Sequence, residues 1–375
     1  MHGARVTALH FMFFDAGGGH RSAATALQEA SAGRGWKVEL IQLQELLDSL
    51  DVFRKLTGVR LEDCYNLLLK KGWTLGSPQM TRVMQSVIRL FHGRQVQILE
   101  EFWRASPPHL VVSLVPNLNR AMYEGLQRAC PRVPYVTILT DIADYPPHFW
   151  IERQPQHFIC GSDKAVRQVK AYGHPEARAY RVSGMILNPK FYAARTVDRT
   201  AERRRLGLDP NQPTGLVMFG GQGSGVMRLI ADRVDAQLIC ICGKNEKLAR
   251  ELRALKRKQP LFVEGFTREV PYYMQLADFF IGKPGPGSVS EALAMRLPVV
   301  VERNLWTLPQ ERYNADWVIE NNYGLVLPNF RGIGAAIERL LEPSEYARYR
   351  AAVEQYHNRA VFEIPGILEE ILRRV

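Results

Sequence analysis

Residues 214–225 read TGLVMFGGQGSG, an unbroken apolar run followed by four glycines within six residues. A run that is apolar at every position fits a strand buried on both faces of a sheet, and glycine lets the backbone turn where other residues resist. Helix-period sequence follows at once, so the passage reads as strand, glycine turn, helix. The same order recurs in FFDAGGGHRSAATALQ at 13–28 and in DFFIGKPGPGSVSEALAM at 278–295. Apolar or β-branched runs at 5–14, 37–43, 109–115, 134–140, 214–220, 236–243, 278–282 and 297–302 alternate with helical segments along most of the chain. Strands of this kind joined by crossover helices predict an α/β protein with doubly wound parallel sheets.

The chain has 375 residues, more than one core usually holds. Between 186 and 213 the alternation lapses into ILNPKFYAARTVDRTAERRRLGLDPNQP, with three prolines and a basic run, before strand sequence resumes. This predicts a first domain at 1–190, a linker at 191–213 and a second domain at 214–356. The helical segment 357–375 is expected to cross back to the first domain, with a break at Pro365.

Hydrophobic residues at 46% and charged residues at 23% are ordinary for a globular protein, which argues against disorder. No apolar run reaches the roughly 18 to 20 residues that a spanning helix needs. The five cysteines, Cys64, Cys130, Cys160, Cys240 and Cys242, are scattered and lack zinc spacing, which fits a reduced, cytoplasmic protein. The net charge of +11 calls for an anionic partner or substrate. No recognition-helix, RNP or zinc-finger signature points to nucleic acid. An anionic membrane surface or a phosphate-bearing substrate attracts the same charge. The stretch 47–104 lacks a convincing strand and reads either as core-packed amphipathic helices or as a lipid-facing surface, with Leu67 to Trp73 its membrane candidate.

Three glycine-rich turns carry the chemistry. In the first, Gly17, Gly18 and Gly19 precede His20 at the carboxyl end of a strand, where α/β folds bind ligands. His20 is there either as a base or as the polar end of a turn. In the second, FGGQGSG at 219–225 forms a nest of amides before a helix, suited to a diphosphate, and no G-K-[ST] lysine accompanies it. In the third, a helix is expected near Ser288, so Glu291 either completes a capping box with Ser288 or accepts two hydroxyls of a ribose. Downstream, Gln310, Glu311 and Asn314 suit a polyhydroxylated ligand. No Asp-x-Asp triplet marks a metal-bridged nucleotide-sugar site, which leaves the diphosphate to amides and helix dipoles.

Taken together, DAGGGHRSAATAL, VTILTD, VSGMILNPKF, MFGGQGSG, GFTREVPYYMQLAD, GKPGPGSVSEALAMRLPVVV and PQERYNADWVIENNYG are collinear over nearly the whole chain. In this the chain resembles the diacylglycerol galactosyl- and glucosyltransferases and, more distantly, the GlcNAc-transferase of lipid II synthesis. The resemblance implies a GT-B fold of two facing Rossmann-like domains, with the nucleotide sugar held mainly by the second. It further implies that Gly220, Gly221, Gly223, Ser224 and Gly225 hold the UDP phosphates, approached also by Gly285, Gly287 and Ser288. Phe266 and Thr267 would flank the uracil, Glu291 would hold the ribose, and Gln310 and Glu311 the donor sugar. On the acceptor side stand Gly18 and Gly19, with His20 and Asp141 as candidate bases.

The resulting expectation is an inverting transferase that needs no metal or other cofactor and moves a hexose from a UDP-sugar to a lipid hydroxyl. Diacylglycerol is the expected acceptor, reached by peripheral attachment to the cytoplasmic membrane face. The alternatives are a polyprenyl or small hydrophobic acceptor, a UDP-sugar epimerase or hydrolase on the same fold, and a nucleotide-sugar binding module without activity.

Overall fold

The computed structural model describes residues 7–15, 19–47, 90–145, 148–193 and 197–374. The chain divides into two compact units, one of Met1–Pro189 with Arg359–Val375 and one of Lys190–Asn358. In the first, the order is β1 (Thr7–Phe13), α1 (Gly19–Ala30), β2 (Trp36–Gln42), α2 (Leu43–Leu47), α3 (His92–Ala105), β3 (Leu110–Ser113), α4 (Asn119–Ala129), β4 (Tyr135–Ile138), β5 (His157–Cys160), α5 (Asp163–Ala171) and β6 (Ala179–Arg181). Its sheet is parallel throughout, in the order β2-β1-β3-β4-β5-β6.

The second unit runs α6 (Arg199–Arg205), β7 (Thr214–Met218), α7 (Val226–Arg233), β8 (Gln237–Ile241), α8 (Glu246–Arg253), β9 (Leu261–Glu264), α9 (Val270–Leu276), β10 (Phe279–Gly282), α10 (Pro286–Ala294), β11 (Val299–Glu302), α11 (Pro309–Glu320), β12 (Gly324–Leu327), α12 (Ile333–Leu341) and α13 (Pro343–Glu354). Its six strands are likewise parallel, ordered β12-β11-β10-β7-β8-β9. All eight strand runs read from the sequence form strands; β5, β6, β9 and β12 are additional.

Strand alternation sorts the side chains into a core on each face of each sheet. From β1, Leu9, Phe11 and Phe13 join one cluster while Met12 joins the opposite one with Trp103 of α3. From β7, Val217 packs on one side and Leu216 and Met218 on the other. The final helix, α14 (Ala360–Arg373), returns to the first unit and sets Ala360, Ile364, Leu368 and Ile371 into the cluster that holds Ala23, Ala24 and Leu27 of α1.

The expected break at Pro365 does not occur. Pro365 is buried inside the continuous α14, where packing outweighs one missing backbone donor. The helix start is tied down as well: Ser183 donates from its amide and hydroxyl to the Glu363 carboxylate, at 2.8 and 2.6 Å.

The basic run read as a linker is structural. Arg203 of α6 is buried, pairs with Asp278 at 2.6 Å, and donates to the carbonyls of Leu276, Pro210 and Gln212. Asp278 also accepts from the Thr214 amide at 2.8 Å, so this arginine fixes the start of β7.

Candidate active site

In a parallel α/β sheet, ligands bind beyond the carboxyl ends of the strands where the strand order reverses. The second sheet reverses between β7 and β10 and the first between β1 and β3, and the three glycine turns leave the carboxyl ends of β7, β10 and β1.

In the second unit the 219–225 turn is held open by left-handed glycines, Gly220 at φ 74° and Gly223 at φ 60°. A Cβ on Gly223 would lie 2.7 Å from the Cys242 carbonyl oxygen, so the chain passes too close for any side chain. The Gly223 amide donates to the Gly220 carbonyl at 3.2 Å, and the Lys244 amide to that of Gly221 at 2.8 Å. Among the described residues the amides of Gly221, Ser224 and Gly225 meet no acceptor, and they stand at the start of α7. Backbone donors and a helix dipole pointing one way favour an anion.

Phe266 follows β9 with 58% of its surface exposed. The Lys244 ammonium lies 5.7 Å from the centre of its ring. The residue whose amide braces the phosphate-type turn therefore also touches this aromatic face. The Thr267 hydroxyl is committed locally, accepting from the Glu269 amide at 3.0 Å.

At β10 the helix starts two residues earlier than Ser288: Gly285 caps it, Pro286 is its first residue, and Gly287 and Ser288 lie in its first turn. Glu291 is therefore in the helix interior, and the capping-box alternative falls. No donor among the described residues reaches its half-buried carboxylate. Burial alone pushes its pKa up to about 7. A carboxylate that has lost water without gaining a donor is primed to accept hydroxyls. Gln310 and Glu311 occupy the first turn of α11, and Glu311 pairs with Lys283 at 2.7 Å. Asn314 ties that helix to the β10 turn by donating to the Pro284 carbonyl at 2.8 Å.

In the first unit, Arg21 of α1 donates from Nε and Nη2, one edge of its guanidinium, to the two Asp15 carboxylate oxygens at 2.8 and 2.9 Å. His20 lies inside α1 rather than capping it. Its Nδ1 is 3.0 Å from the Thr140 hydroxyl, its ring also reaches the Leu114 carbonyl, and burial pushes its pKa down to about 4. The imidazole is thus neutral at ordinary pH, the protonation state a base requires. Its ring lies 6.0 Å from the Trp150 ring. The Trp150 indole donates to the Asp141 carboxylate at 2.8 Å, so one tryptophan joins His20 to Asp141.

Sequence reading missed Trp150, Thr140 and the residues that hold them. The Trp150 amide donates to Asp144 at 2.7 Å, and its carbonyl accepts from buried Asn119 at 3.2 Å. Left-handed Asn117 and His148 stand in the two loops so joined, and such strain persists where surrounding contacts enforce it. Gly19 opens α1. Gly18 and the Leu67–Trp73 segment lie outside the described residues. Among the described residues no three His, Cys, Asp or Glu side chains are grouped to hold a metal ion, and no helix is long and apolar enough to cross a membrane.

No family model matches the chain. Monogalactosyldiacylglycerol synthase 2 of Arabidopsis thaliana is 27% identical over 393 residues, covering 95% of this chain and 79% of that protein. The Spinacia oleracea monogalactosyldiacylglycerol synthase is 28% identical over 397 residues, covering 96% and 72%. Among solved structures, Staphylococcus aureus MnaA with UDP superposes at a TM-score of 0.62 and 13% identity over 98% of each chain. Acinetobacter baumannii MurG gives 0.58 at 11% identity over 97% of this chain and 99% of that one. Anabaena HepE with UDP-glucose gives 0.54 at 15% over 98% and 100%. The chain thus has two six-stranded parallel sheets on the GT-B plan and is similar over most of its length to the monogalactosyldiacylglycerol synthases.

Proposed function

We propose that this protein transfers a hexose from a UDP-sugar to a lipid hydroxyl, with diacylglycerol as the acceptor, and that it does so with inversion and without a metal ion. The observation that carries the reading is the set, at the carboxyl ends of β7, β9 and β10, of open amides, an exposed aromatic face and a half-buried carboxylate without donors. Diphosphate, uracil and ribose require those three features. The names of the curated relatives supply the lipid acceptor.

In the proposed mechanism His20, neutral and oriented by Thr140, takes the acceptor proton as its oxygen attacks the anomeric carbon opposite UDP. Asp141, held by the Trp150 indole, is the second candidate for that base. The amides of the 219–225 turn take up charge on the departing diphosphate. The net charge of +11, drawn to anionic lipid, supports the proposed attachment at a cytoplasmic membrane face.

Radiolabelled UDP-glucose, UDP-galactose and UDP-N-acetylglucosamine, each incubated with diacylglycerol vesicles in the presence of a chelator, test this reading. It expects chelator-insensitive label in a glycolipid with a β-linkage from the α-linked donor. Label in polyprenyl lipid alone reassigns the acceptor.

A further inference from the structure

We propose that the Lys244 ammonium is the side-chain cation that meets the donor diphosphate, an assignment that rests on the UDP-sugar reading above. Lys244 stands in the short loop between β8 and α8. That loop is packed onto the glycine turn after β7: a Cβ on Gly243 would lie 2.3 Å from the Gly221 carbonyl oxygen, and one on Gly223 2.7 Å from that of Cys242. The Lys244 amide donates to the Gly221 carbonyl at 2.8 Å, and the Lys244 carbonyl accepts from the Glu246 amide at 3.2 Å. The lysine backbone is therefore fixed at the turn whose amides are assigned to the phosphates.

Its side chain is exposed, and the ammonium lies 5.7 Å from the centre of the Phe266 ring. One residue thus borders both the diphosphate turn and the aromatic face assigned to uracil, two groups that a single ribose joins in UDP. The nearby carboxylates are engaged elsewhere. Glu246 pairs with Arg250 at 3.8 Å, while Glu264 accepts from the Gly265 amide at 2.8 Å and from the Tyr273 hydroxyl. Among the described residues no carboxylate pairs with Lys244. A cation resting on an exposed ring is held weakly, whereas its bond to a phosphate oxygen is charge-assisted, so the ligand outcompetes the ring for the ammonium. Charge grows on the diphosphate as the sugar departs, and the same cation then helps transfer as well as binding.

Calorimetric titration of wild type, Lys244→Met and Lys244→Arg with UDP and with uridine, at low and at raised salt, tests the assignment. Methionine keeps an unbranched arm at an exposed position and removes only the charge. At low salt the methionine variant should lose about 10-fold or more in UDP affinity, arginine should retain most of it, and uridine should bind all three alike. UDP affinity of the methionine variant should also fall less steeply with salt than that of wild type. Equal UDP affinity in wild type and Lys244→Met overturns the assignment and leaves the UDP-sugar reading standing. Equal losses for UDP and uridine also overturn it, since they mark a lysine that acts through the ring or the loop. Wild type that binds neither ligand overturns the UDP-sugar reading itself, and the assignment with it.

Discussion

Glu291→Gln separates a residue kept for binding from one kept for stability. Burial pushes the Glu291 carboxyl up to about 7, well above the ordinary carboxylate range. The folded state therefore binds more protons than the unfolded state between that range and the raised value, and stability falls as pH rises through that window before levelling off above it. A shift of this size corresponds to about 3 kcal/mol at most. Glutamine carries no charge to desolvate. The variant should match wild type near pH 4, gain on it as pH rises, and exceed it at pH 8 by up to about 3 kcal/mol in denaturant unfolding.

Binding should move the other way. Losing hydrogen bonds from two ribose hydroxyls to a carboxylate should weaken UDP about 10- to 100-fold at pH 8, while 2′,3′-dideoxy-UDP binds both proteins alike. Wild-type affinity for UDP should fall as pH drops below about 7, because the ligand needs the ionised form. A variant that is less stable than wild type at pH 8, or that binds UDP equally well, refutes this role for Glu291.

Three further outcomes follow. The rate at saturating donor should stay flat from pH 8 down to about 5, because the His20 pKa of about 4 keeps the imidazole neutral throughout; an acid limb centred near 6.5 contradicts its burial. His20→Ala should reduce the transfer rate by about 100-fold or more, whereas Asp141→Asn, which keeps an acceptor for the Trp150 indole, should cost less. The reverse order of losses makes Asp141 the base. Gly243→Ala should weaken UDP binding and destabilise the chain by roughly 1–3 kcal/mol. At φ 59° its Cβ would meet the Gly221 carbonyl oxygen at 2.3 Å, displacing the phosphate-type turn.

The strands legible in the sequence are the ones that carry long apolar runs, and those include the four around which the two sheets reverse. The missed strands are short: β6 is only AYR, and β9 is LFVE between a lysine-rich turn and the next glycine. Neither offers enough length for a pattern to stand out.

Glycine turns were legible because their composition is local. Trp150 was not, because its role arises from contacts with His20, Asp141, Asp144 and Asn119 that folding brings together. The Thr140 to His20 bond alone spans 120 positions. Glu291 turned on where its helix begins, and the proline at the first helical position settles that start two residues before the serine.

UDP release from a UDP-hexose, followed with and without diacylglycerol vesicles, tests the central claim most directly. Release should require the lipid and match glycolipid formed mole for mole, with free hexose a minor product. Equal release without lipid, or an epimerised donor with none, would contradict a transferase and assign the site to hydrolysis or epimerisation.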